Sequence, residues 1–296
     1  MPRRLALPGL FLVSSAAIAA PGLTTFGFQA GLEHDGNINR SVDTRALSDD
    51  ALLVEAHASR ATSTGPASGL SLRMNLRGRV QKEFSGMSQA AIGGRVAWRY
   101  QPDRSFTGIR VDVTGSAEYL QHADSGMRDG GLLSASAAIG RNLTDRIDAA
   151  LSAGADRRLG REGSVYDLAT TRIGVDVDYR IRTGLSLYLH GRRVQGDHVF
   201  TWAPAAPGSG SATWTVGGRS DWYKASARDP VFDSSGRSFT AYKADARTVA
   251  FEIGLNIALS PFQALDLSVA RFDSSATQGP SYDVTQFRAV YLLRLP

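Results

Sequence analysis

Apolar and polar residues alternate with a period of two along most of the chain beyond residue 24. In 25–33, Phe26, Phe28, Ala30 and Leu32 are apolar, whereas Thr25, Gly27, Gln29, Gly31 and Glu33 are small or polar. Side chains on a strand point alternately to its two faces, so such a segment has one greasy face and one wet face. Leu70, Leu72, Met74 and Leu76 repeat the pattern against Ser71, Arg73, Asn75 and Arg77. Val249, Phe251, Ile253, Leu255 and Ile257 repeat it against Thr248, Glu252 and Asn256. The alternation predicts twelve strands, over about 25–33, 52–59, 70–79, 89–100, 109–119, 133–139, 147–156, 172–180, 185–192, 248–259, 265–269 and 287–295.

The connections alternate in length. Those at 101–105, 142–145, 182–184 and 260–264 are tight, whereas those at 39–50, 121–129, 159–166 and 272–282 are longer, and 195–245 exceeds them all. Short turns at one end and long loops at the other are the mark of an up-and-down transmembrane barrel. The stretch 60–69 is longer than a turn on the short side should be.

A soluble β-protein also alternates, but its polar faces carry Lys and Glu turned to water. Here they carry Arg, Asp, Ser, Thr, Gly and Asn, and Lys occurs only at Lys82, Lys224 and Lys243. The segments approach the roughly 10 residues that a tilted strand needs to cross a bilayer core. A sheet closed on itself leaves no unpaired edge in lipid. The expected fold class is therefore all-β, a transmembrane antiparallel up-and-down β-barrel of about 12 strands, or 14 if 195–245 holds a further hairpin. Phe26, Phe28, Trp98, Tyr100, Phe106 and Tyr179 fall near short-turn ends and Tyr119 and Phe287 toward loop ends, as interfacial girdles would place them.

Composition narrows the chemistry. The 296 residues include no Cys, which excludes disulfides, thiolate zinc sites and a Cys nucleophile. His34, His57, His122, His190 and His198 lie far apart, so a zinc-hydrolase motif is absent and neither metal nor cofactor is expected. The net charge of +5 is spread along the chain without a basic element carrying aromatic platforms, which argues against nucleic acid. Residues 1–19 read as a signal peptide, with Arg3 and Arg4, an apolar centre and a cleavage site at Ala17-Ile18-Ala19. Residues 20–296 are then the barrel, in the outer membrane of a Gram-negative bacterium with both termini periplasmic. Its partners would be outer-membrane lipid, the outer-membrane assembly machinery and a periplasmic protein.

The wet faces carry Arg73, Arg77, Arg79, Arg95, Arg99, Arg110, Arg172, Arg180, Arg192, Arg288 and Arg294. Opposing them are Glu33, Glu55, Asp112, Glu118, Asp148, Asp156, Asp176, Asp178, Glu252 and Asp266. Five Arg fall on the third and fourth strands without an acid between them, so a lumen would have a positive wall facing acidic ones and select solutes by charge. The expected lining is Arg73, Arg77, Arg79, Arg95, Arg99, Arg110, Asp112, Glu118, Asp176, Asp178 and Arg192. The alternative is that these charges pair and fill a narrow interior. In 195–245, Trp202, Trp214, Trp222 and Tyr223 suggest a lid or protruding hairpin.

Outer-membrane phospholipase A and the lipid A deacylases place His and Ser two residues apart on the outer wall, but two residues beyond His34 stands Gly36. A nucleophile within hydrogen-bond reach is missing there, so no enzyme is expected. Gly31-Leu32-Glu33-His34-Asp35-Gly36-Asn37-Ile38-Asn39-Arg40 resembles the first strand and loop of the surface lipoprotein assembly modifier barrels and of barrels associated with polysaccharide export. That resemblance implies export or assembly with a periplasmic partner. The lumenal charges imply instead a porin-like passive pore for small polar or charged solutes, and a closed structural barrel with binding loops is the third expectation.

Overall fold

The computed structural model describes residues 24–41, 46–103, 105–160, 164–202, 223–233, 238–277 and 279–295. The expected leader at 1–19 lies outside them. The described strands are β1 (Thr24–Asp35), β2 (Asp49–Gly65), β3 (Ser68–Gln81), β4 (Gln89–Tyr100), β5 (Arg110–His122), β6 (Gly130–Asn142) and β7 (Ile147–Gly160). They continue as β8 (Leu168–Arg182), β9 (Leu185–Trp202), β10 (Ala225–Arg228), β11 (Thr240–Ser260), β12 (Gln263–Ala276) and β13 (Ser281–Leu295). Neighbours pair antiparallel from β1 to β9, then β9 pairs with β11 and the sheet runs through β12 and β13 back to β1. The seam between β1 and β13 extends from Phe26 opposite Leu295 to Asp35 opposite Gln286, so the barrel is closed by twelve strands.

Parity governs which side chains meet the exterior. Met74 is 68 % exposed and Leu32 65 %, and Leu76, Ile92, Leu151, Ile173 and Phe251 are also exposed. A Leu held in water forfeits about 1.5–3 kcal/mol. A belt of such residues around a closed sheet is stable against lipid. No described helix is long and apolar enough to cross a membrane. Trp98 and Tyr100 stack with ring centroids 5.8 Å apart near the short-turn end of β4.

All twelve expected strands are present, and the differences lie at their ends. β2 and β3 pair as far as Gly65 opposite Ser68, so the stretch 60–69 contains a two-residue turn and not a loop. Polar residues outside the bilayer still complete a ladder, which apolar periodicity cannot reveal. For the same reason β12 and β13 shorten the 272–282 connection to 277–280. β9 and β11 stay paired from Gln195 opposite Arg247 to Trp202 opposite Thr240. β11 has 21 residues, about twice the number needed to cross a bilayer core. The described part of the longest connection therefore adds a protruding hairpin, with the four residues of β10 paired to β11 beyond the point where β12 ends, and no further wall strands.

Candidate functional site

The wet faces of the strands line the interior, and their charges are matched across strands. Arg73 on β3 bonds Glu55 on β2 and lies 2.9 Å from His57 Nδ1. Arg77 on β3 reaches Glu118 on β5, and Arg79 Nη2 lies 2.7 Å from Glu33 on β1. Arg172 bonds Asp156, which also accepts from Ser134 at 2.6 Å. Toward the short turns Arg99 donates to Asp112 at 2.6 Å, and Arg110 makes a two-pronged contact with Asp148. Arg192 lies 3.7 Å from Asp176. The Arg of β3 and β4 thus do not form the unbalanced positive wall that strand-by-strand reading suggests. Arg73, Arg77, Arg79 and Arg99 find their partners on β1, β2 and β5, strands next to their own or one strand beyond.

On the opposite wall Tyr188 of β9 crosses β11 and donates to Asp266 of β12 at 3.0 Å. Gly254 makes that crossing fit: a Cβ there would stand 2.1 Å from the Tyr188 ring. His190 stacks on Tyr188 with ring centroids 4.8 Å apart, and Arg288 donates to Glu252 at 3.1 Å.

Between these walls lies a cavity of about 250 Å³. Its charged lining comprises Arg40, Arg73, Arg77, Arg95, Arg172 and Arg288 with Glu33, Glu55, Glu118, Asp156, Asp197 and Asp266, so cations and anions balance. Hydroxyls and amides of Ser116, Ser136, Thr114, Thr170, Asn75 and Gln286 fill the remaining polar surface. His198 bonds the Gly196 carbonyl through Nδ1 at 2.9 Å and Thr248 Oγ1 through Nε2 at 2.8 Å, and both His198 and Thr248 face the cavity.

The loop end is covered. In the first loop Arg40 makes a bidentate pair with Asp35, both contacts at 2.8 Å, and the Asn37 amide nitrogen donates to the carbonyls of Ser41 at 2.9 Å and Asp283 at 3.1 Å. These bonds hold Arg40 at φ 53, a costly conformation for a residue with a Cβ, and turn the loop back over the lumen. They also bury Ile38 against Met87, Phe232 and Phe239, with Leu47, Phe84 and Val231 packed around them.

Phe232 belongs to the segment that runs from Tyr223 through β10 to Asp233. Lys224 Nζ anchors its start to Asp197 at 2.7 Å and Asp245 at 2.6 Å. In its middle Asp229 pairs with Arg128 from the β5–β6 loop, and Tyr166 from the β7–β8 loop donates to Asp229 at 3.0 Å. Both side chains of the ion pair are 0 % exposed. The Arg128 guanidinium also lies 4.8 Å from the Tyr166 ring centroid and 5.5 Å from that of Phe232. Burial works against the Arg128 charge, but the Tyr166 oxygen and Asp229 outweigh it and push its pKa up. Burial pushes the Tyr166 phenol up as well. Leu168 and Val199 belong to the apolar cluster of Tyr166, Ala225 and Ala227 and also line the cavity, so this cap forms its roof.

The chain overlays an outer membrane channel from Pseudomonas putida F1 with a TM-score of 0.60 at 10% sequence identity, covering 93% of this chain and 96% of that one. The fold is that of an outer-membrane β-barrel. The outer-membrane barrels CymD, a monoaromatic hydrocarbon channel (TM-score 0.49, 10% identity, 99% of this chain and 94% of that chain covered), and the NanC porin (0.45, 9%, 91% and 100%) match more loosely and carry no weight beyond it. No family model and no curated protein matches the sequence.

Of the expected lining of this outer-membrane barrel, Arg73, Arg77, Arg95 and Glu118 border the cavity. Arg79, Arg99, Arg110, Asp112, Asp176, Asp178 and Arg192 are not among the residues bordering it. Of the expected lid residues, Trp202 ends β9, Tyr223 packs edge-on against Tyr242 at 5.1 Å, and Trp214 and Trp222 lie outside the described residues. Sequence reasoning missed Arg128, Tyr166 and Asp229, which with Phe232 form the described cap. A buried ion pair across 101 positions leaves no local signal. The Asp35, Asn37 and Asn39 run did carry one, as residues whose side chains bond nearby backbone in turns.

Proposed function

We propose that the protein is a porin-like channel for small polar or charged solutes, placed in the outer membrane with its long loops outside and both termini periplasmic, and covered at the loop end by residues 223–233 and 238–239. Contact with outer-membrane lipid and insertion by the outer-membrane assembly machinery belong to the same proposal. The observation that carries it is the cavity lined by six Arg and six acids inside a closed barrel. Such a wall offers charge-assisted hydrogen bonds to ionic and zwitterionic solutes. The motif that resembles export barrels is used here to build a turn, through Asp35, Asn37 and Arg40, and gives the export reading no separate support.

Purified protein in planar bilayers tests the channel reading. Stepwise conductance is expected, with ion selectivity moving toward cations in Arg73→Ala plus Arg77→Ala, because Glu55 and Glu118 then lose their partners. Absence of steps at every voltage, with the variant behaving alike, would leave a closed structural barrel.

A further inference from the structure

Three of the lumenal contacts that reach over a strand share one device. Glu118 on β5 bonds Arg77 on β3, and the residue of β4 in register with Glu118 is Gly93. Arg110 on β5 bonds Asp148 on β7, and its register partner on β6 is Gly140. Tyr188 on β9 donates to Asp266 on β12 at 3.0 Å, and its register partner on β11 is Gly254. In each case the strand that is crossed presents an inward position without a side chain at the point of crossing.

The fit is close at all three. A Cβ at Gly93 would collide with Glu118 Cγ, one at Gly140 would stand 2.9 Å from Arg110 Nη2, and one at Gly254 would run into the Tyr188 ring. All are nearer than the roughly 3.5–4.0 Å of a relaxed non-bonded contact. A side chain that passes so low over its neighbour lies along the wall and leaves the axis of the lumen clear. Arg73, Arg79, Arg172 and Arg288 also find their acids on an adjacent strand or one beyond, so their charged heads are held along the wall as well. Eight strands leave an interior just filled by side chains and sixteen leave an aqueous channel, so at twelve the direction of the lumenal side chains decides whether a path remains.

We propose that Gly93, Gly140 and Gly254 set the bore of the lumen. Each lets a large polar side chain of the next strand lie down across it, and a methyl group there lifts that side chain toward the axis and breaks its bond to the strand beyond. Gly93 stands in the loop-side half of β4 and Gly140 near the short-turn end of β6, so the bore is held along the barrel and not at one level. The inference rests on the channel reading above and deepens it: the charges choose the kind of solute, and these glycines choose its size.

Gly254→Ala tests this most cleanly, because the three atoms nearest to the added Cβ all belong to the Tyr188 side chain, which can turn away, and none to the backbone. In planar bilayers Gly254→Ala is expected to lose most of the conductance of the wild type, and Gly140→Ala likewise. Adding Tyr188→Ala to Gly254→Ala is expected to restore it, whereas a wall distorted by the new methyl group would stay narrow in the double variant. Gly115→Ala, with nothing within 4 Å of its added Cβ, is expected to conduct as the wild type does. Heat-modifiable mobility checks that each variant assembles. A crystal structure of Gly254→Ala supplies a readout without current, and is expected to show the Tyr188 ring over the lumen and its bond to Asp266 lost. A silent wild type with Tyr188 displaced in that crystal would overturn the channel reading and uphold the role of Gly254 in keeping the lumen clear. Wild-type conductance in Gly254→Ala, a loss that Tyr188→Ala does not restore, or a Tyr188 ring still against the wall in the crystal overturns the proposal.

Discussion

At the scale of single residues, the interior is a set of compensated charges. All three Arg of β3 meet an acid from another strand, and the contact least exposed to solvent is in the cap, where Arg128 and Asp229 are wholly buried. Such a pair adds little net stability over an apolar isostere, but removing one member leaves an unpaired buried charge at a cost of about 3–5 kcal/mol. Asp229→Ala should therefore loosen the cap without unfolding the wall. Amide exchange across 225–233 should accelerate while the central ladders of β5, β6 and β7 keep their protection. Unchanged protection in the cap would show that the pair does not hold it.

At the scale of elements, the wall and the cap differ in how much of each the sequence displays. The twelve wall strands were legible because lipid on one side and polar lumen on the other impose strict parity, visible in runs such as Val249 to Leu259. Strand ends were not, since Thr62, Ser63 and Asp245 continue ladders outside the bilayer where either face tolerates polarity. The inward-facing Arg and acids were legible by parity, yet their partners were not, because a pair can join adjacent strands, as Arg73 and Glu55 do, or reach over one, as Arg77 and Glu118 do, and register decides which. A lid from 195–245 was legible in its aromatic residues, but its partners were not, since Ile38, Met87, Arg128 and Tyr166 lie on other loops that meet Phe232 only when the loops pack together.

The cap's response to pH follows from the same element-level view. Tyr166 has its pKa raised in the folded state, so the folded form holds that proton more tightly than the open form. Its contribution to closure is complete below the unperturbed tyrosine value near 10 and declines as pH rises above it. Arg128 is also shifted upward and keeps its charge across that range. Exchange protection of 225–233 should thus be flat between about pH 6 and pH 9 and fall only at higher alkalinity. A loss of protection centred near neutrality would assign the latch to a different group.

At the scale of the whole molecule, a closed sheet resolves what composition leaves open. A chain with 21% charged residues can live in a membrane because it turns its apolar positions outward and gathers much of its charge in the lumen and the loops. The central claim is that this barrel is a channel whose mouth is covered by residues 223–233 and 238–239. The chain has no Cys, so Met87→Cys with Phe232→Cys adds one pair of thiols, at positions packed in the same cluster of the cap. The deciding measurement is single-channel conductance of this variant before and after reduction. Closure of the steps on oxidation and their return on reduction is the predicted result, and identical traces in both states, conducting or silent, would contradict the account.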